Sequence, residues 1–304
     1  MQITWEGVMP AITTKFTDDD RLDFKAFEKN INTQIEAGVS GIIIGGSLGE
    51  ASTLSKEEKE NLLSRTIEIV EKKVPVIMNI AEQSTKTAIS VAQRAEQLGA
   101  DGIMLLPPMC YKATDRETVA YFAEVAKNIA IPIMIYNNPV DYKIEVTLEM
   151  FDELIKYKNI QAVKESTRDI SNVTRFKNKF GDRIKILCGV DTLALECLVT
   201  GANGWVAGLV AAYPAETVAI YKLIKAGKIE EAVRIYRWFM PLLELDISPQ
   251  LVQNIKLAEV ATGLGTENVR APRLPLQGEE RKRVISIIDE AMACRPELPE
   301  YKFL

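Results

Sequence analysis

The sequence predicts an α/β fold, a (β/α)₈ TIM barrel with a C-terminal helical extension. Three observations predict it. Short apolar runs recur from Val8 to Leu209, each bounded by glycine or proline; each run is apolar at both parities; and amphipathic segments of helix length separate them. A strand that is apolar on both faces is buried on both, as in a parallel sheet wrapped by helices. Eight such strand–helix units make a barrel. A doubly wound sheet is the alternative, but it would place a glycine-rich phosphate turn after the first strand, and none follows Val8–Thr13.

The predicted strands, in order, are Val8–Thr13, Gly41–Gly46, Val74–Ile80, Gly102–Leu106, Ile131–Tyr136, Ile160–Lys164, Ile184–Cys188 and Gly204–Leu209. Between the second and third, Ser55 and Glu58 have the spacing of a capping box, and Leu62, Leu63, Ile67 and Val70 follow at helical period. Ser84–Leu98, Asp115–Ile129 and Thr147–Tyr157 read the same way. Gly38, Gly99 and Gly201 stand where helices end before the next strand. After Leu209 the chain turns helical: Glu216–Ala226, Ile229–Leu245, Leu251–Gly263 and Glu279–Ala293. The prolines of Arg270–Leu276 make that segment an extended connector. The expected organisation is a catalytic barrel over residues 1–212 and an extension over 213–304 packed on it, with no flexible linker.

Composition narrows the function. The 304 residues are 47% hydrophobic and 26% charged with a net charge of −5, ordinary globular values. No basic stripe suggests a nucleic-acid surface, and no apolar run reaches the ~20 residues of a membrane span. The start lacks the pattern of a secretory signal. Cys110, Cys188, Cys197 and Cys294 are widely spaced, which predicts reduced thiols and a cytoplasmic protein rather than a disulfide frame or a zinc site.

The chain contains no histidine, so acid–base or covalent chemistry must use other groups. Lys164 ends an apolar strand. A lysine desolvated among apolar neighbours has its ammonium form disfavoured and can present a neutral amine to a carbonyl, forming a Schiff base. The competing reading is a lysine paired with a carboxylate at a strand end. Active sites of such barrels lie at the carboxyl ends of the strands. There the second run is followed by Gly45-Gly46-Ser47-Leu48-Gly49-Glu50, whose backbone N–H groups can approach a small anion. The fifth ends at Tyr136, a candidate proton relay. Tyr136 and Lys164 end adjacent strands and are predicted neighbours. Gly189 and Asp191 follow the seventh run, Val206, Ala207 and Gly208 end the eighth, and Trp205 and Tyr111 are aromatic candidates for the rim. Asp191, Glu50 and Asp141 rank low, because charged strand-end residues are commonly structural.

Gly46-Ser47-x-Gly49-Glu50, Tyr136-Asn137-x-Pro139 and Val163-Lys164-Glu165, in that order, resemble the signature of the dihydrodipicolinate synthase / N-acetylneuraminate lyase family of class I Schiff-base enzymes. The resemblance spans essentially the whole chain. It implies Lys164 as the imine-forming lysine, Tyr136 as the proton relay, and Ser47 and Leu48 as the holders of a 2-oxo acid carboxylate. Gly189 after the seventh run and Val206 in the eighth are further candidate substrate-pocket residues. The Schiff-base chemistry requires no metal or organic cofactor, and the resemblance implies a small-molecule substrate and a homotetramer.

Within the family, the synthases usually carry Thr-Thr where this chain has Ser47-Leu48. They have a tyrosine pair after the fourth strand, where this chain reads Pro107-Pro108-Met109-Cys110-Tyr111-Lys112, and an arginine where it has Asp141. These departures weigh against the synthase reaction. Gly46–Glu50, Tyr136–Pro139, Lys164–Ser166, Gly189–Asp191, Gly204–Gly208, Tyr236–Pro241 and Ala271–Leu276 are more similar to the 1-pyrroline-4-hydroxy-2-carboxylate deaminases of hydroxyproline breakdown. Those enzymes form 2,5-dioxopentanoate with loss of water and ammonia. They usually carry a histidine where this chain has Ser248, a position expected to be structural. The alternative reading is a pyruvate-type aldolase or 2-oxo-acid dehydratase. The apolar candidates Met109, Leu48 and Val206 favour a small substrate over a polyol, and a non-catalytic barrel is disfavoured because the lysine, the tyrosine and the glycine turn occur together.

Overall fold

Eight short strands, β1 (Gly7–Pro10), β2 (Ile42–Ile44), β3 (Val76–Ile80), β4 (Gly102–Leu105), β5 (Ile133–Asn137), β6 (Ile160–Glu165), β7 (Lys185–Cys188) and β8 (Gly204–Ala207), form one parallel sheet. The computed structural model describes residues 1–108 and 110–304. Each strand pairs with its sequence neighbour, and β8 returns to β1. Between β1 and β2 the barrel closes through a single bridge, Ala11 to Ile43. The predicted runs were longer than the strands at Val8–Thr13 and Gly41–Gly46 because their last residues turn outward into the rim.

Side chains alternate between two cores, as the pleat demands. The inward set, Met9, Ile43, Ile77, Met104, Met134, Ala162, Leu187 and Val206, fills the barrel, with Ile3 and Trp5 packed into the same cluster. Trp5 donates its indole N–H to Gln161, one residue into β6, so it plugs the amino end. The outward set packs beneath the helices. Tyr136 lies two residues beyond Met134, and Lys164 two beyond Ala162. Both therefore point inward, at the carboxyl end, and they are direct register partners.

The predicted capping box is present. Ser55 accepts from the Glu58 backbone and Glu58 from the Ser55 backbone, opening helix Lys56–Val70. A second box at Thr114 and Glu117 opens helix Asp115–Lys127. Gly38 and Gly99 are left-handed C-caps of helices Phe24–Ala37 and Thr85–Leu98.

Helix Pro214–Lys225 packs against β1, β8 and helix Phe24–Ala37, the place of the eighth barrel helix. The remaining helices, Ile229–Leu243, Leu251–Ala261 and Gly278–Ala293, pack on one another and on that ring. Helix Ile229–Leu243 ends sooner than its periodicity predicts, in a 3₁₀ turn at Glu244–Ile247 that contacts the loop Asp191–Leu193 after β7. Two buried ion pairs join the extension to the barrel rim: Lys15 to Glu259 at 2.7 Å and Lys256 to Glu50 at 2.5 Å, all four side chains fully buried. Among the described residues no helix is long and apolar enough to cross a membrane.

Candidate active site

A cavity of about 370 Å³ opens at the carboxyl end of the barrel, and all six sequence-predicted site residues line it: Lys164, Tyr136, Ser47, Leu48, Gly189 and Val206. Lys164 is 8% exposed, so its ammonium is poorly solvated. Among the described residues it forms no ion pair; its Nζ instead lies 4.0 Å from the centroid of the Tyr136 ring. The structural reading of this lysine needs a carboxylate partner, and none pairs with it among the described residues. Burial holds its pKa below the usual lysine value, partly opposed by Tyr142, Asp246, Asp191 and Cys188.

The neighbouring strand makes room for it. A Cβ at Gly189 would stand 2.7 Å from Cε and Cγ of Lys164 and 2.1 Å from Oγ of Ser166. Only glycine lets the lysine stem lie across the end of β7. Glu165, one residue on, points to the opposite face. It accepts from the Thr167 backbone and from Asn137, fixing the turn after β6.

Tyr136 receives a hydrogen bond from Asn138 at 3.2 Å, and burial pushes its hydroxyl up to about 12, so it is a neutral phenol near pH 7. Sequence reading missed its partner Tyr142. The two rings meet edge to face with centroids 5.5 Å apart, and the Tyr142 hydroxyl lies 2.6 Å from Oγ of Ser47. Pro139 explains the placement. It opens a one-turn helix, Pro139–Tyr142, capped by Asn138, which swings Tyr142 back over the cavity. A hydroxyl-bearing ring thus stands between Ser47 and Tyr136, where no tyrosine pair after β4 was available from sequence.

Asp141 also lines the cavity, at its exposed edge, and accepts from Asn138 at 2.7 Å. Asn138, Ser166, Arg168, Asp246 and Ser248 also line it. Ser248 was expected to be structural; the turn at Glu244–Ile247 instead carries it and Asp246 to the barrel mouth. Oγ of Ser166 is buried beside Tyr136, and among the described residues no hydrogen bond to it meets normal geometry.

Asp191, Glu50, Trp205 and Tyr111 do not line this cavity. Asp191 accepts from the Trp205 indole at 2.9 Å and from the backbone of Gly208 and Leu209 at 3.1 and 2.9 Å, tying β7 to β8. Trp205 is fully buried packing, and Tyr111 is exposed. Glu50 is consumed by Lys256 and by the Arg270 backbone N–H. Met109 lies outside the described residues.

The chain matches the dihydrodipicolinate synthetase family over residues 4–291. It is 35% identical over 275 residues to the 4-hydroxy-tetrahydrodipicolinate synthase of Exiguobacterium sibiricum, covering 90% of this chain and 92% of that one. The structure of the 4-hydroxy-tetrahydrodipicolinate synthase from Methylacidiphilum fumariolicum SolV superposes with a TM-score of 0.88 at 30% identity, covering 95% of this chain and 97% of that one. The chloride-inhibited dihydrodipicolinate synthase of Acinetobacter baumannii, complexed with pyruvate, gives a TM-score of 0.91 at 25% identity over 95% and 99% of the two chains. A family match over nearly the whole chain, on a barrel whose motif residues converge on one cavity, means that this chain belongs to the dihydrodipicolinate synthetase family.

Proposed function

We propose that the chain is a Schiff-base-forming enzyme that converts 1-pyrroline-4-hydroxy-2-carboxylate to 2,5-dioxopentanoate. Lys164 is its nucleophile, and Tyr136 moves protons with Ser47 and Tyr142 alongside. The observation that carries the substrate choice is the acidic side chain at position 141 on the cavity wall. Where the synthases resembled carry an arginine for a second carboxylate, Asp141 lines the cavity, and Asp246 lines it too. The Asp141 carboxylate repels an anionic substrate tail and favours one that becomes cationic.

The chemistry generates such a tail. The Lys164 amine adds to carbon 2 of the ring imine, the bond from carbon 2 to the ring nitrogen breaks, and that nitrogen becomes a primary ammonium on carbon 5. The enzyme imine acidifies carbon 3. Loss of that proton gives an enamine, from which the 4-hydroxyl departs as water. Proton shifts then make a second imine at carbon 5, and hydrolysis of both imines releases ammonia, the dioxo acid and free Lys164. One water leaves and two are taken up, a net uptake of one. The substrate carboxylate is assigned to the backbone N–H groups at Ser47 and Leu48, with Gly189 and Val206 shaping the pocket around carbon 2. We assign the enzyme to the cytoplasm and expect a homotetramer.

The relatives named synthases, and the Ser47–Tyr142–Tyr136 hydroxyl series, favour a second reading: condensation of pyruvate with an aldehyde on the same lysine. Parallel assays separate the two. Ammonia release from 1-pyrroline-4-hydroxy-2-carboxylate supports the deaminase; pyruvate consumption with aspartate 4-semialdehyde, and no ammonia release, overturns it.

Tyr136→Phe keeps the ring on which Lys164 rests and removes only the hydroxyl. Turnover is expected to fall by roughly 10²–10⁴-fold, the usual worth of a positioned proton-transfer group, while borohydride still traps the lysine adduct. Unchanged turnover would remove Tyr136 from the relay.

A further inference from the structure

The cavity contains more acid than imine formation requires, and one carboxyl is set apart from the rest. Asp246 is half-buried on the turn Glu244–Ile247 and faces Lys164, Asp191 and Asp141. Among the described residues no donor hydrogen-bonds to it. It reaches the end of β8 only because residue 208 is glycine: a Cβ there would stand 2.5 Å from its Oδ1.

We propose that Asp246 is the acid that protonates the departing 4-hydroxyl, an inference that rests on the deaminase reading above. The cavity's titratable residues leave it as the group built for this. Arg168 presents a guanidinium, a hydrogen-bond donor and not a general acid. Tyr136 and Tyr142 are weak acids, both pushed up to about 12 by burial. Lys164 is held in the imine. Asp141 sits in water at the rim and already accepts from Asn138. Asp246 faces a second carboxylate, Asp191, which is itself fixed by three N–H donors. Burial and the Asp191 charge raise the Asp246 pKa well above the carboxylate range, opposed by Lys164.

The step balances on these groups. In the enamine, the nitrogen lone pair re-forms the carbon–nitrogen double bond, and the carbon 2–carbon 3 pair moves to carbon 3–carbon 4. The carbon 4–oxygen bond breaks, and the oxygen takes the Asp246 proton and leaves as water. The products are a conjugated protonated imine and an Asp246 carboxylate, now placed to pair with the carbon-5 ammonium.

Borohydride trapping with mass analysis tests it. Asp246→Asn is incubated with 1-pyrroline-4-hydroxy-2-carboxylate and, separately, with 1-pyrroline-2-carboxylate, the same ring without the hydroxyl. The expected result is adduct formation with both rings at near wild-type rate, with the first adduct still carrying its hydroxyl and ammonia release down about 10²–10⁴-fold. An adduct already dehydrated, or ammonia release within about threefold of wild type, overturns the assignment. Equal slowing of trapping with both rings also overturns it, because the damage then precedes the hydroxyl step. If the wild type traps neither ring and releases no ammonia, the deaminase reading itself fails and the inference with it.

Discussion

Replacing Lys164 by alanine is expected to abolish turnover, by about 10³-fold or more, and to abolish borohydride trapping of any 2-oxo acid or cyclic imine. Lys164 forms no ion pair among the described residues, so no partner charge is stranded and the variant should fold. The wild-type adduct gives the second half of the result. At low pH the ammonium has no lone pair and cannot attack. As pH rises through the lowered Lys164 pKa the amine is freed, so adduct formation climbs and levels off below the usual lysine value of about 10.4. Mass spectrometry of trapped protein across pH reads both predictions. A profile still climbing toward 10.4, or a K164A protein that retains several per cent of wild-type turnover, would show that this lysine is not the nucleophile.

The parts of the site that were legible in the sequence are those fixed by strand parity. Lys164 and Tyr136 end adjacent runs, and a parallel register places their side chains on one face without any further information. Gly189 was legible as a strand end, but its reason was not, since the stem of Lys164 crosses it only in three dimensions. Asp246 and Ser248 were out of reach for a different cause. They reach the mouth through long-range packing of the extension, and helical periodicity across Ile229–Leu245 concealed the turn that bends Asp246 inward. The break at Ser248-Pro249 was the available signal. Tyr142 could have been read from Asn138-Pro139, a cap followed by a helix-starting proline, which together predict a turn that returns the chain on itself. Glu50 and Asp191 were ranked low as functional groups, and their partners now supply the structural explanation: each is saturated by hydrogen bonds from other rim elements.

Glu50→Ala is expected to destabilise the protein by about 3–5 kcal/mol, because it leaves the Lys256 ammonium buried without its counter-charge. Lys256 is fully enclosed; besides Glu50 it meets the Asn268 carbonyl and the face of Phe16. The reverse variant, Lys256→Met, strands the carboxylate with the Arg270 backbone N–H and the more distant Arg273, and should cost a similar amount. The double variant Glu50→Leu/Lys256→Met replaces both charges with apolar volume and is expected to recover most of the loss, since a desolvated pair contributes far less than its half-removal costs. Urea midpoints of the three proteins measure this; a double variant as unstable as the two singles summed would mean that the two charges are uncoupled and that each single loss comes from its other contacts. Glu50 has a second attachment that makes the pair matter for the site. It is held in a left-handed backbone conformation three residues after Ser47, and its N–H donates to the Ser47 carbonyl. Loosening it therefore loosens the turn assigned to the substrate carboxylate. The single variants should raise KM together with the loss of stability, and the double variant, which restores packing but not the anchoring of Arg270, should keep part of that rise.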